Sequence, residues 1–199
     1  MKFVNTNDSR DNYEVPATAE LNKLAKENIA WVSLQEHEMD KFMVDVLPEL
    51  LGMHYSDESA HIVEKWLLEK APDIKALKNS KDGQEAYFWA VRYFAEVLCQ
   101  RFEAEWIVAA TENKLISIKP RVLLPFGVAL SIFEYVENMV KTHHSTSFSK
   151  GILVPANRRY KQWVADGRPQ VNTPLGGKRP VLPPLPKAVQ EIIDSWKKS

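Results

Sequence analysis

Cysteine occurs once in this 199-residue chain, at Cys99. A single thiol forms no internal disulfide, and no CxxC or Cys/His cluster is present for zinc or dithiol chemistry. Glycine is scarce, with 7 residues, and neither GxGxxG nor GxxxxGKS/T occurs. Those loops let backbone N–H groups approach phosphates, so dinucleotide and P-loop nucleotide binding are not expected. GxSxG and HExxH are missing as well, which removes the commonest hydrolase signatures. These absences reject particular enzyme families, not enzymes as a class. No apolar run approaches the ~18 residues of a membrane helix, and Met1–Arg10 is polar, unlike a signal peptide. A cytoplasmic protein without membrane insertion is expected, with no metal and no cofactor.

Net charge is also zero, yet the zero conceals a division. Residues 1–140 carry 15 Lys/Arg and 23 Asp/Glu, whereas residues 141–199 carry 11 and 3. Such asymmetry marks either a tail for an acidic partner or a tail that folds back on its own acidic body. Apolar content is 45%, enough for one domain with a sizeable core.

Periodicity divides the chain. Residues 1–16 have none and read as a flexible N-terminal arm. Thr18 caps an expected helix to Leu34. A second helix starts near Glu36, is kinked or divided at Pro48, and stops at Gly52. Asp57 opens a third, with Ile62, Val63, Trp66 and Leu67 as its stripe, and Pro72 begins a short segment to Leu77. After a polar break at Asn79–Gly83 comes a helix over Gln84–Phe102, polar only along one narrow stripe. A helix apolar most of the way round is enclosed by protein, so this is the expected central helix. Glu105–Ala110 reads as a strand, Glu112-Asn113 as a turn and Leu115–Ile118 as the hairpin partner. Val122-Leu123-Leu124, bracketed by Pro120 and Pro125, suits an edge strand, and Val128–Lys141 is an amphipathic helix. Residues 145–186 hold seven of the twelve prolines and no period, and read as an extended basic arm. Residues 187–199 form an amphipathic C-terminal helix with Val189, Ile192, Ile193 and Trp196 on one face. The expected fold is therefore mainly helical α+β over 17–144, with a small antiparallel sheet of two to three strands packed on the central buried helix.

Few residues carry chemistry. Arg92 and Glu96 lie four apart on the central helix with Gln100 beyond, either an active-site element or an internal polar pair. Cys99 beside them has no neighbour to lower its pKa and reads as structural. His143-His144 point about 100° apart in a helix, a poor chelating pair. Arg158-Arg159-Tyr160-Lys161-Gln162-Trp163 interleaves cations with aromatics, which suits single-stranded nucleic acid or a clamp onto the acidic domain. The run Arg179–Pro186 contains PxxP spacing and favours a polyproline II spacer. Glu36, Glu38, Asp40, Asp57 and Glu58 cluster near helix starts as candidate contacts for a basic partner, or as an ordinary solvated face.

Tyr93-Phe94-Ala95-Glu96-Val97-Leu98, then Ala104-Glu105-Trp106-Ile107-Val108 and Leu123-Leu124-Pro125-Phe126, carry a resemblance. Over residues 84–140 the order resembles small uncharacterised bacterial domains in which a G-x-Y-x-G-E helix precedes a tryptophan strand. Such domains occur among immunity proteins that neutralise toxins of contact-dependent and secretion-system competition. Ala90 or Val91 and Ala95 stand where the glycines would fall. The resemblance implies a non-enzymatic protein that occludes a cognate toxin and carries over no catalytic residue. The candidate partner surface is then Glu36, Glu38, Asp40, Asp57 and Glu58 with Arg158, Arg159, Tyr160 and Trp163. The alternatives are a nucleic-acid-associated protein using the basic arm, and an enzyme with its site around Arg92 and Glu96.

Overall fold

The computed structural model describes residues 2–6, 18–111, 119–143 and 148–169. Among these residues seven α-helices and four short strands form a mainly helical α+β fold. The helix α5 (Lys81–Phe102) runs through its middle, with Val91, Phe94, Ala95, Val97 and Leu98 fully enclosed. Its neighbours are α1 (Thr18–Ser33), α2 (Gln35–Lys41), α3 (Asp57–Lys70), α4 (Ile74–Asn79) and α6 (Ile132–Thr142). The expected central helix is thus present, three residues longer at its start. Ser80, inside the expected polar break, is its N-cap and accepts from the Gly83 N–H at 2.9 Å. Gly83 continues the helix because α4 ends so close by. A Cβ there would collide with the Ala76 carbonyl, whose carbon would lie 2.7 Å away.

Phe42 shows how the helices join. It stacks on Trp89 of α5 at 5.3 Å and meets Trp66 of α3 edge-on at 5.2 Å. Burying a ring of this size contributes about 1.5–3 kcal/mol, and each such ring pair adds about 0.5–1.5 kcal/mol. Phe42 opens a π-helical turn, Phe42–Val46, that continues α2. Pro48 then divides the segment as expected, starting the 3₁₀ turn Pro48–Leu50, and Gly52 (φ +82°) follows in left-handed backbone.

The sheet has the order β1-β2-β3-β4. β2 (Glu105–Thr111), β3 (Lys119–Leu123) and β4 (Ala129–Leu130) are antiparallel, while β1 (Lys2–Thr6) lies parallel to β2. Two expectations are corrected here. The arm foreseen over 1–16 contributes a strand, since Lys2–Thr6 pairs with the edge of β2 that β3 leaves open. The segment around Val122 is interior rather than an edge strand, because Ala129–Leu130 pairs with its outer side. Pro120 is nonetheless accommodated in β3, opposite Val108. The turn at 112–113 and the strand foreseen at 115–118 lie outside the described residues, as do residues 7–16.

The basic arm foreseen over 145–186 is also corrected in its first half. Phe148–Leu153 is a π-helical segment and α7 spans Val154–Ala165, with Pro155 in its first turn. Proline is tolerated there because the first N–H groups of a helix have no partner within it. Phe148 anchors the segment. It is fully buried against Phe94 (4.4 Å) and Tyr135 (5.6 Å). The Arg179–Pro186 run and the helix foreseen at 187–199 lie outside the described residues.

Candidate functional site

Three polar features rise above the core. The first is the stripe of α5. Arg92 is 3% exposed, and its guanidinium donates to the Trp31 carbonyl at 2.7 Å and to Gln35 Oε1 at 3.1 Å. It also lies 3.8 Å over the Trp31 ring. Gln35 answers by donating Nε2 to the Arg92 carbonyl at 3.0 Å and to Glu96 Oε2 at 3.3 Å. Gln100 donates to the other Glu96 oxygen at 2.6 Å. Burial lowers the Arg92 pKa to about 10, and the nearby Glu38 charge opposes that fall. The guanidinium therefore stays charged at neutral pH. The stripe ties α1 and α2 to α5, and Arg92 presents its donors to protein. Arg92 and Glu96 are linked through Gln35 instead of pairing directly. Trp31 and Gln35 were not singled out from the sequence, where a tryptophan and a glutamine near a helix boundary carry no distinguishing pattern. Cys99 is partly buried, and burial, then Glu96 and Glu105, push its thiol up to about 12. A thiol so raised is a poor nucleophile.

The second feature is a buried carboxylate that sequence reasoning also missed. Glu64 on α3 is 1% exposed and accepts the Phe148 N–H at 2.6 Å, with His61 Nδ1 at 3.6 Å. Burial raises its pKa to about 7, against the smaller opposing pull of the Phe148 N–H and His61. The only trace in the sequence is its place on the apolar side of α3, between Val63 and Leu67. Glu64 closes the path from α3 to the C-terminal helical segment. Of the other histidines, His37 and His143 are exposed, and His144 lies outside the described residues.

The third feature is the charged surface. Glu36, Asp40 and Glu58 are exposed, whereas Glu38 is half-buried near Arg92. Asp57 is exposed and forms an ion pair with Arg101 of α5. The helix that carries Asp57 is capped by Ser56, which accepts from the Ser59 N–H at 3.1 Å. On α7, Arg158 and Arg159 are exposed while Tyr160 and Trp163 turn partly inward. Tyr160 packs on Phe102 at 5.6 Å and donates its hydroxyl to Glu103 at 2.7 Å. Trp163 packs on Tyr160 at 5.8 Å and donates its indole N–H to the Pro169 carbonyl at 2.9 Å. The sequence candidates thus divide between two surfaces, acidic α2 and α3 and basic α7, and Tyr160 holds that helix to its own domain. Nothing brings all nine together. Among the described residues no three His, Cys, Asp or Glu side chains converge as a metal site, and no helix is long and apolar enough to cross a membrane. Compared with known protein families, curated proteins and solved structures, the chain matches none.

Proposed function

We propose that this protein acts by binding another protein, as an immunity-type inhibitor that occludes a cognate toxin. The observation that carries the reading is the outward face of α2 and the turn after it. Glu36 and Asp40 are exposed there without an ion-pair partner among the described residues, next to Val44 at 60% exposure. Exposed carboxylates accelerate encounter with a basic surface, and an adjacent apolar side chain supplies area to bury once contact is made. The enclosed state of Arg92 supports binding over catalysis at the α5 stripe, since its donors are directed at Trp31 and Gln35. Glu58 extends the acidic surface on α3.

The test is co-expression with a toxin-like reading frame adjacent to its gene. Growth should be rescued, a complex should co-purify, and the double reversal Glu36→Lys/Asp40→Lys should weaken both. Rescue without any detectable complex would defeat occlusion.

A further inference from the structure

Six large apolar side chains are exposed among the described residues, and five of them lie on two segments of opposite charge. Leu34, Val44 and Leu51 belong to the α2 region, where Glu36, Glu38, Asp40, Asp45 and Glu49 face a single cation, Lys41. Val154 and Val164 belong to α7, whose cations are Arg158, Arg159 and Lys161 and which contains no acid. The remaining one, Phe88, stands on α5.

The outer stripe of α7 follows from its inner one. Ala156 is buried, and Tyr160 and Trp163 turn inward, so Val154, Arg158 and Lys161 fall on the opposite side at helical spacing. Neither Arg158 nor Lys161, nor Arg159 beside them, forms an ion pair among the described residues; the ion pair just after α7 is Arg168 to Glu103. On α2, buried Gln35 and Met39 likewise turn Glu36 and Asp40 outward. Within one chain the neighbours of α7 are the π-helical segment before it and α5, so its basic face is not neutralised by α2.

Each molecule therefore presents an acidic and a basic face, with Glu36, Asp40, Arg158 and Lys161 free of ion pairs among the described residues and exposed aliphatic side chains beside them. We infer that the basic outer face of α7 docks on the acidic α2 region of a second copy of this chain. This goes beyond the toxin-binding reading and does not depend on it. The same acidic face cannot hold a second copy and a basic partner together, so self-association would compete with capture of such a partner. Charge complementarity sets the orientation, and the aliphatic side chains on both faces become buried.

Sedimentation velocity on the full chain tests this. The wild type should associate reversibly at low salt and dissociate at about 1 M salt, where screening acts over about 3 Å. Glu36→Lys/Asp40→Lys and Arg158→Glu/Lys161→Glu should each weaken association by about tenfold or more. An equimolar mixture of the two variants should recover it, because one reversed face then complements the other. Far-UV circular dichroism on each variant confirms that the fold is retained. A wild type that stays monomeric at low salt overturns the inference, as does association that neither reversal weakens. So does a mixture that fails to recover association. Binding of single-stranded DNA by a monomeric wild type, lost on Arg158→Glu/Lys161→Glu, would assign the basic face to nucleic acid instead. Failure in this experiment leaves the toxin reading standing, since its own test uses a different partner and a growth readout.

Discussion

Glu103 and Arg168 meet at 2.9 Å across 65 residues, and both occupy left-handed backbone, with φ of 53° and 56°. Glu103 is the C-cap of α5, a position that favours glycine. A glutamate there accepts backbone strain of roughly 1 kcal/mol, and its carboxylate holds Tyr160 and Arg168 in return. The end of the central helix thus secures α7.

Two substitutions separate strain from pairing. Glu103→Ala keeps the strained backbone and loses both partners, and should cost about 1 kcal/mol, because the pair is about half exposed. Glu103→Gly loses the same partners but relieves the strain, so it should be the milder change. Urea denaturation gives the ranking, and a glycine variant less stable than the alanine variant contradicts it.

Gly83→Ala inverts a familiar rule. In an open helix interior the change stabilises by about 1 kcal/mol. Here the added Cβ meets the backbone carbonyl of Ala76, which has no rotamer to move aside. A loss of about 1–3 kcal/mol is expected. A rise in the thermal midpoint would show that α4 can retreat.

Glu64 predicts a pH dependence of defined sign. Its folded pKa, about 7, lies above the ordinary 4.5. Its contribution is therefore fully present below about pH 4.5 and is lost as pH rises through about 7. Glu64→Gln keeps an acceptor for the Phe148 N–H and cannot ionise, so the variant should gain on the wild type from about pH 5 to about 7 and level off by about pH 8. The difference reports Glu64 together with its neighbour His61, 3.6 Å away. Unfolding free energies that stay parallel across this range would refute the assignment.

Arg92→Lys retains the charge but not the planar fork. One ammonium cannot reproduce the geometry that reaches the Trp31 carbonyl, Gln35 Oε1 and the Trp31 ring together. Leaving those buried acceptors short should cost about 2–3 kcal/mol in urea denaturation. A variant of unchanged stability would show that the stripe contributes little to holding α1 and α2.

The helices were legible because their apolar stripes have a period set by the backbone, as Ile132, Phe133, Val136, Met139 and Val140 do on α6. Their ends were less so. Ser80 resembled loop because Gly83 followed it, and the reason for Gly83 is the Ala76 carbonyl, a tertiary neighbour no local pattern contains. The helical character of Phe148–Ala165 was obscured by Pro155 and Gly151, although Phe148 inserts beside Phe94. Of the candidate surface residues, the outward places of Glu36 and Asp40 followed from the stripe of α2. The inward turn of Tyr160 did not, because it depends on Phe102 and Glu103, more than fifty residues away.

The parallel pairing of β1 with β2 has a consequence for synthesis. Lys2 aligns with Ile107 and Thr6 with Thr111, so each residue of β1 waits for a partner 105 positions later. At about 5–20 residues per second, translation leaves that interval at several seconds or more. Throughout it β1 is made without its neighbour, while α1 to α5 emerge and can begin to pack. The sheet edge is then joined only after α5 is complete, and a ribosome stalled before residue 105 holds a helical cluster whose first strand has no β2 to pair with.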